Sequence, residues 1–229
     1  MNILSLDTST DVLSIALRTQ KSYEERLISG NFSHSENLLS EILSFLQRAK
    51  LTLKDLDLLV AAKGPGSFTG LRVGIASLKG IRAASNAKLV SVPTLSAMAY
   101  PLRGLSAYPV LAVIDAKKER FYYALYSSEG SELSAVTDSA AENVASIIES
   151  YDKVILTGKD SEKFLSKISS EEIRKKFVVD SNSPRNIASS LIELGLEKFE
   201  RDGEDDIGEG PLYVRRSDAE EALLKKMEN

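Results

Sequence analysis

The chain has 229 residues, a formal net charge of −4, no cysteine and one histidine. Disulfides, Cys-based zinc sites, thiol nucleophiles and any site that needs a His pair from one chain are thereby excluded, and the negative balance gives no electrostatic footprint for tight, unaided nucleic-acid binding. With 43% hydrophobic and 27% charged residues, the composition is that of a globular domain large enough for one sizeable core or two small ones.

No apolar run is long enough to cross a bilayer. Residues 1–4 run straight into a strand pattern without a basic leader or cleavage site, so a cytoplasmic protein is expected. Residues 2–6 read as a short apolar strand ending in Asp7-Thr8-Ser9-Thr10-Asp11. Residues 12–17 follow as a second strand, and 22–28 as a third, more polar and nearer a sheet edge. Asp, Ser and Thr favour turns by bonding their own backbone, so the first connection reads as a polar hairpin.

Residues 32–49 carry a helical pattern. Ser33 with Glu36 three residues on fits a capping box. Leu38, Leu39, Ile42, Leu43, Phe45, Leu46 and Ala49 cover about 160° of the helical wheel, where a helix lying on its own sheet needs roughly 100°. The surplus predicts two apolar contacts, one with the core and one with something else; a helix set deep in the core is the alternative. His34, at the helix start, reads as a cap or packing residue, since no Ser/Asp constellation gives it a catalytic role.

Residues 56–62 read as a buried strand. The stretch 63–71, Lys-Gly-Pro-Gly-Ser-Phe-Thr-Gly-Leu, then leads into a helix pattern from about 69 to 86. Gly64, Gly66 and Gly70 let the backbone take positive φ and approach another surface closely. Free N–H groups at a helix start can hold an anion, and a tight strand-to-helix connection explains the turn equally well. Ser67 or Thr69 is expected to cap the helix. Leu71, Ile75 and Leu78 share one face; Gly74, Ser77, Ile81 and Ala84 share another. Interior glycines at 74 and 80 each cost about 1 kcal/mol relative to alanine, which predicts close backbone approach at both.

Two neighbouring helices with spare apolar faces make a docking surface, since two such pairs bury each other in a four-helix layer. The expected interface residues are His34, Leu38, Leu39, Ile42, Leu43 and Leu46 on the first helix and Leu71, Ile75 and Leu78 on the second. Which face of each helix meets the sheet stays open at this level.

Residues 88–92 form a strand ended by Pro93, 94–100 a short helix, and 101–108 a linker. The lobe boundary is placed there, giving 1–103 and 104–229. The second half reopens with strand–turn–strand: 109–114, Asp115-Ala-Lys-Lys-Glu119, and 120–127. Strands at 153–157 and 177–179 then alternate with helices at 161–169 and 184–201, the last with Ser183 as cap and Pro184 in its first turn. Residues 201–210 are an acidic loop, 212–214 a brief extended piece, and 218–226 a charged helix capped by Ser217.

Gly64-Pro-Gly-Ser-Phe-Thr-Gly-Leu-Arg-Val-Gly74 resembles the signature of the TsaB (YeaZ) family, bacterial proteins of the tRNA threonylcarbamoyladenosine pathway. Ile3-Leu-Ser-Leu-Asp-Thr-Ser-Thr10, His34-Ser-Glu-Asn-Leu-Leu39 and Pro211-Leu-Tyr-Val-Arg-Arg-Ser-Asp-Ala219 match it in the same order. The resemblance implies two α/β lobes of the actin-like ATPase (RNase H-like) type, each a mixed sheet flanked by helices. It implies a non-catalytic subunit, with no cofactor or metal of its own. Such a subunit pairs with a paralogue, TsaD, which carries metal-binding histidines and transfers the threonylcarbamoyl group to a tRNA adenosine beside the anticodon. The pair docks through the two helices described above, a TsaE-like ATPase binds the assembled pair, and tRNA is met only through the complex. A homodimer is expected when the partner is absent.

In that superfamily the first turn is a phosphate loop, so the resemblance makes Asp7, Thr8, Ser9, Thr10, Gly64 and Gly66 a candidate relic phosphate site. The alternative is a stand-alone ATPase or kinase, with Asp7 on magnesium, Asp115 as base and Lys63 on phosphate. Against it, Ala116 and Lys117 stand where active members carry glycine, and the adenosine loop is reduced to Thr157-Gly158-Lys159. A peptidase ranks last, because Gly-Pro-Gly-Ser-Phe is not a nucleophile elbow.

Overall fold

Five strands make the first sheet: β1 (Ile3–Asp7), β2 (Val12–Arg18), β3 (Tyr23–Ser29), β4 (Leu58–Ala62) and β5 (Lys88–Val92). The computed structural model describes residues 1–29, 34–183 and 186–215, and of 34–37 the backbone alone. The strand order is β3-β2-β1-β4-β5, with β1, β2 and β3 antiparallel and β4 and β5 parallel to β1. β3 is an edge strand, and its residues alternate between exposed and half-buried, as its polar sequence predicts.

The period of two sorts the inner strands. Leu4, Leu6, Ile15, Leu59 and Leu89 face one side, where α1 (His34–Ala49) and α2 (Phe68–Ala84) cover them. Ile3, Ala16, Val60, Val90 and Val92 face the other. Both faces of β1 and β4 are covered, which is why these strands read as unbroken apolar runs rather than alternating ones.

A second sheet repeats the plan with β6 (Val110–Lys117), β7 (Arg120–Tyr126), β8 (Thr137–Ser139), β9 (Val154–Thr157) and β10 (Phe177–Val179). Its order is β8-β7-β6-β9-β10, antiparallel through β6-β7-β8 and parallel from β6 through β9 to β10. Two mixed sheets of one topology, flanked by helices, are the architecture that the resemblance implies. Its shorter helices are α3 (Thr94–Ala99), α4 (Ala145–Ile148), α5 (Ser161–Ser166) and α6 (Glu171–Lys175), and α7 (Ala188–Asp202) closes the set.

The two halves exchange helices. Leu95 and Ala99 of α3, from the first half, pack on Val110, Ala112, Ile114 and Tyr122 of the second sheet. Ala188, Leu191 and Ile192 of α7, from the second half, close the open face of the first. α7 comes so close that a Cβ on its Gly195 would lie 2.6 Å from the methyls of Val60. The Ser5 hydroxyl donates to the Ala188 carbonyl at 2.7 Å, fixing where this helix begins. The helix thus lies across the boundary drawn at 103/104.

α7 starts later than predicted. Ser183 accepts a hydrogen bond from the Gly158 amide at 3.0 Å rather than capping the helix, and Pro184 lies outside the described residues. So do the charged helix placed at 218–226, its Ser217 cap and the Ser33 cap of α1. α4, α6 and β8 are too short to leave a periodic signal and were not anticipated. No helix among the described residues is long and apolar enough to cross a membrane.

Candidate functional site

The glycine turn is shaped by the β1–β2 turn lying against it. Ser67 caps α2, its hydroxyl accepting from the Gly70 amide at 3.2 Å, so the capping expectation holds. The Ser67 amide donates to the Ser9 carbonyl at 2.6 Å, and the Thr8 hydroxyl to the Gly70 carbonyl at 2.7 Å. An added Cβ would lie 2.2 Å from Ser9 O at Gly66, 2.0 Å from Thr8 O at Gly70, and 2.2 Å from Thr8 Oγ1 at Gly74. These three glycines are needed for close approach, not for positive φ.

Of the turn glycines only Gly64 has positive φ, at 106°, and its amide donates to Thr94 Oγ1 at 3.2 Å. Gly64 therefore sits apart from the 7–10 turn, whereas Gly66 touches Ser9. Gly80 corrects the sequence reading, since nothing lies within 4 Å of a Cβ placed there.

Asp7 is 3% exposed, and its carboxylate accepts the Ser9 amide at 2.8 Å; Thr10 Oγ1 accepts the Val12 amide at 3.2 Å. These are the self-bonded turn contacts of the polar-hairpin reading. Asp7 and Thr10 also line a solvent-open cleft between the lobes, with Thr94, Thr157, Lys159 and Ser183 among its other walls. Lys159 is bonded across the cleft to Asp11, and that hydrogen bond holds the Asp11 carboxyl below its ordinary value.

The groups weighed for an ATPase are engaged elsewhere. Asp115 accepts from Lys163 Nζ at 2.6 Å and from the Lys117 amide at 2.9 Å. Burial pushes its carboxyl upward, but these bonds outweigh burial and leave it below the ordinary value, so it is a poor base. Lys63 Nζ lies 3.3 Å from Glu209. Among the described residues no three His, Cys, Asp or Glu side chains come together as a metal-binding group.

The helix pair splits the expected interface residues. Leu38, Ile42, Leu46, Leu71, Ile75 and Leu78 are buried in the chain's own core, so they are corrected to core positions. The methyl groups of Leu38, Ile42, Leu46, Ile75 and Leu78 already fill the space between α1, α2 and the sheet, and Leu71 is buried against Gly64 of the glycine turn. Leu39 and Leu43, 56% and 47% exposed, face outward. The His34 side chain lies outside the described residues. α1 and α2 pack side by side. Beside the outward leucines, α2 presents Thr69, Ala76, Gly80 and Ala83, all exposed, and the half-buried Val73. The spacing 69–73–76–80–83 is that of a helix-packing seam with small side chains.

One rim of this face carries a feature not anticipated from the sequence. Residues 203–215 run as a strap along β5 and α2. Asp205 accepts from the Ser91 amide at 2.7 Å and the Ser91 hydroxyl at 2.6 Å, and its own amide donates to Leu89 O at 2.9 Å. It thereby covers the free edge of β5. Glu204 pairs with Arg82 and Lys88, and Lys79 donates to the Ile207 and Glu209 carbonyls. Near its end Tyr213 packs on Phe68 of α2, ring centroids 4.8 Å apart and planes tilted by 31°. The signal is the acidic run at 204–209, whose basic partners, Lys63, Arg82, Lys88 and Lys198, are distributed over four separate segments.

Fold and site together define a two-lobed α/β protein of duplicated plan, with a self-filled first turn and an outward-facing helix pair. A sequence model of the family described as TsaD, tRNA N6-adenosine threonylcarbamoyltransferase, matches residues 30–183. The chain belongs to this family. It is 32% identical over 135 residues to the tRNA threonylcarbamoyladenosine biosynthesis protein TsaB of Escherichia coli (strain K12), a match spanning 56% of either chain and so about half of that relative's length. To the Bacillus subtilis (strain 168) protein of the same name it is 28% identical over 225 residues, 96% of each. In fold it is similar to YeaZ from Pseudomonas aeruginosa, with a TM-score of 0.78 at 24% identity, covering 93% of this chain and 99% of that one.

Proposed function

We propose that this chain acts in tRNA threonylcarbamoyladenosine biosynthesis as a non-catalytic subunit, pairing through the outer face of α1 and α2 with a catalytic paralogue of the TsaD type. The observation that carries the reading is the pair of exposed leucines, Leu39 and Leu43, beside a seam of small residues on α2. Exposed leucines at a spacing of four on one helix, next to a flat neighbouring helix, form a contiguous apolar face of the kind that docks another protein. The engagement of Asp115 by Lys163 and of Lys63 by Glu209 supports a role without independent phosphoryl chemistry. In this reading a TsaE-type ATPase joins the assembled pair, tRNA is met through the complex, and the same face closes a homodimer when the paralogue is absent.

The test is light scattering on a sizing column, with the chain alone and mixed with the TsaD-type paralogue of the same cell. A heterodimer is expected, and the double change Leu39→Glu with Leu43→Glu should abolish it while leaving the thermal melt unchanged. A chain that ignores the paralogue overturns the reading. A complex that survives the double change moves the pairing to another face.

A further inference from the structure

We propose that Arg72 is the polar anchor of the α1–α2 face and grips a carboxylate on the protein that docks there. The inference rests on the paired-subunit reading and names the chemistry its partner must present. Arg72 is exposed on α2 and lies one helical turn from both Thr69 and Ala76 of the small-residue seam, so a helix packed on that seam meets its guanidinium.

The side chain is held in place before any partner arrives. Its guanidinium carbon sits 3.8 Å from the centre of the Phe68 ring and 5.7 Å from that of Tyr213. Its Nε–H donates to the Tyr213 hydroxyl at 2.8 Å. Stacking fixes the plane and the Nε bond fixes the rotation, which leaves the outer edge of the fork, with its terminal N–H donors, unbonded among the described residues. A planar guanidinium with that edge available is matched to a carboxylate accepting two parallel bonds.

Most of the described arginines are already paired within the chain. Arg18, Arg26, Arg48, Arg82, Arg103 and Arg120 each bond a carboxylate of the chain. Arg72 bonds only a phenol among the described residues. α2 itself, from Phe68 to Ala84, contains no acidic residue, so a second copy docked helix to helix brings no acid from this element. A guanidinium covered by an interface and left unpaired is strongly unfavourable. Arg72 therefore favours a partner that places an acid on the element packed against α2, a selection by mismatch as much as by attraction.

The experiment is a calorimetric titration of the full chain with the TsaD-type paralogue at low and high salt. The unchanged chain is compared with Arg72→Gln, Arg72→Lys and Tyr213→Phe. Arg72→Gln should weaken binding about tenfold or more, the usual loss for a charge-assisted bond, and should flatten the salt dependence. Arg72→Lys should keep the salt dependence without recovering the affinity. Tyr213→Phe, which removes only the hydroxyl that orients Nε, should give a smaller loss in the same direction, and this variant serves if Arg72→Gln lowers the melting temperature. Unchanged affinity and salt dependence in the Arg72→Gln and Tyr213→Phe variants overturn the anchor while leaving the pairing reading intact. The absence of any complex with the unchanged chain overturns both.

Discussion

Alanine at Gly70 and alanine at Gly80, ten positions apart in one helix, should move stability in opposite directions. At Gly80 nothing lies within 4 Å of the new methyl group, so the substitution gains the helix propensity that glycine forgoes, about 1 kcal/mol. At Gly70 the methyl carbon would sit 2.0 Å from Thr8 O, about 1.3 Å inside an ordinary carbon–oxygen contact. The carbonyl cannot simply retreat. Thr8 and Ser9 are buried, and their turn is tied to α2 by the Thr8 hydroxyl on Gly70 O and the Ser67 amide on Ser9 O. Separating the two elements sacrifices both bonds at about 1 kcal/mol each, and residual overpacking adds about 1–3 kcal/mol. After the propensity gain, a net loss of about 2–4 kcal/mol remains, a fall in melting temperature on the order of 10 °C for a chain of this size. Thermal melts followed by circular dichroism, with urea unfolding alongside, read both variants. If Gly70→Ala and Gly80→Ala both stabilise the chain, the glycines are not there for close approach and the packing of the two turns has been misread.

Leu38→Ala should cost about 2–5 kcal/mol in urea unfolding, because Leu38 is 2% exposed, whereas Leu39→Ala on the adjacent position should stay within about 0.5 kcal/mol. Asp205→Ala strands the Ser91 amide and removes the Lys198 partner, so it should cost at least about 2 kcal/mol and speed protease cleavage within 203–210; a strap that stays equally resistant argues that its other ion pairs hold it alone. Asp115, with its carboxyl held below the usual 3.8, contributes stability that is present above that value and lost as the pH falls through its folded-state value. The melting-temperature advantage of the unchanged chain over Asp115→Asn should therefore be full near neutral pH and shrink below about pH 4; an advantage that persists undiminished in acid would assign it to packing instead.

Much of this architecture is legible in the residues. Strands β1, β2, β4 and β6 announce themselves as apolar runs between turn-forming clusters, and their duplicated order follows from a strand–turn–strand opening that occurs twice. The capping role of Ser67 follows from its place before a helical period. What the sequence does not reveal is partnership between distant segments. Leu38 and Leu39 are chemically the same, and only the rotation of α1 on its sheet makes one core and the other surface. The three glycines at 66, 70 and 74 are visible as a pattern, but the surface they make room for is the 8–9 turn, some sixty residues earlier. Arg72 and Tyr213 are separated by 141 positions, and nothing local to either indicates the stack.

The exchange of helices between the lobes also sets an order in time. When β5 leaves the ribosome, Ile3, Val60, Val90 and Val92 form one side of a nearly finished sheet, yet the helix that belongs on them, α7, begins only at Ala188. Roughly 95 residues separate Val92 from that helix, which at about 5–20 residues per second is a delay of about 5–20 s. During that interval the first lobe can close only its α1–α2 side and must carry a bare apolar sheet on the other. Completion of the first lobe is therefore governed by the synthesis of the second, and nascent chains stalled between Val92 and Ala188 are the species a chaperone would have to recognise.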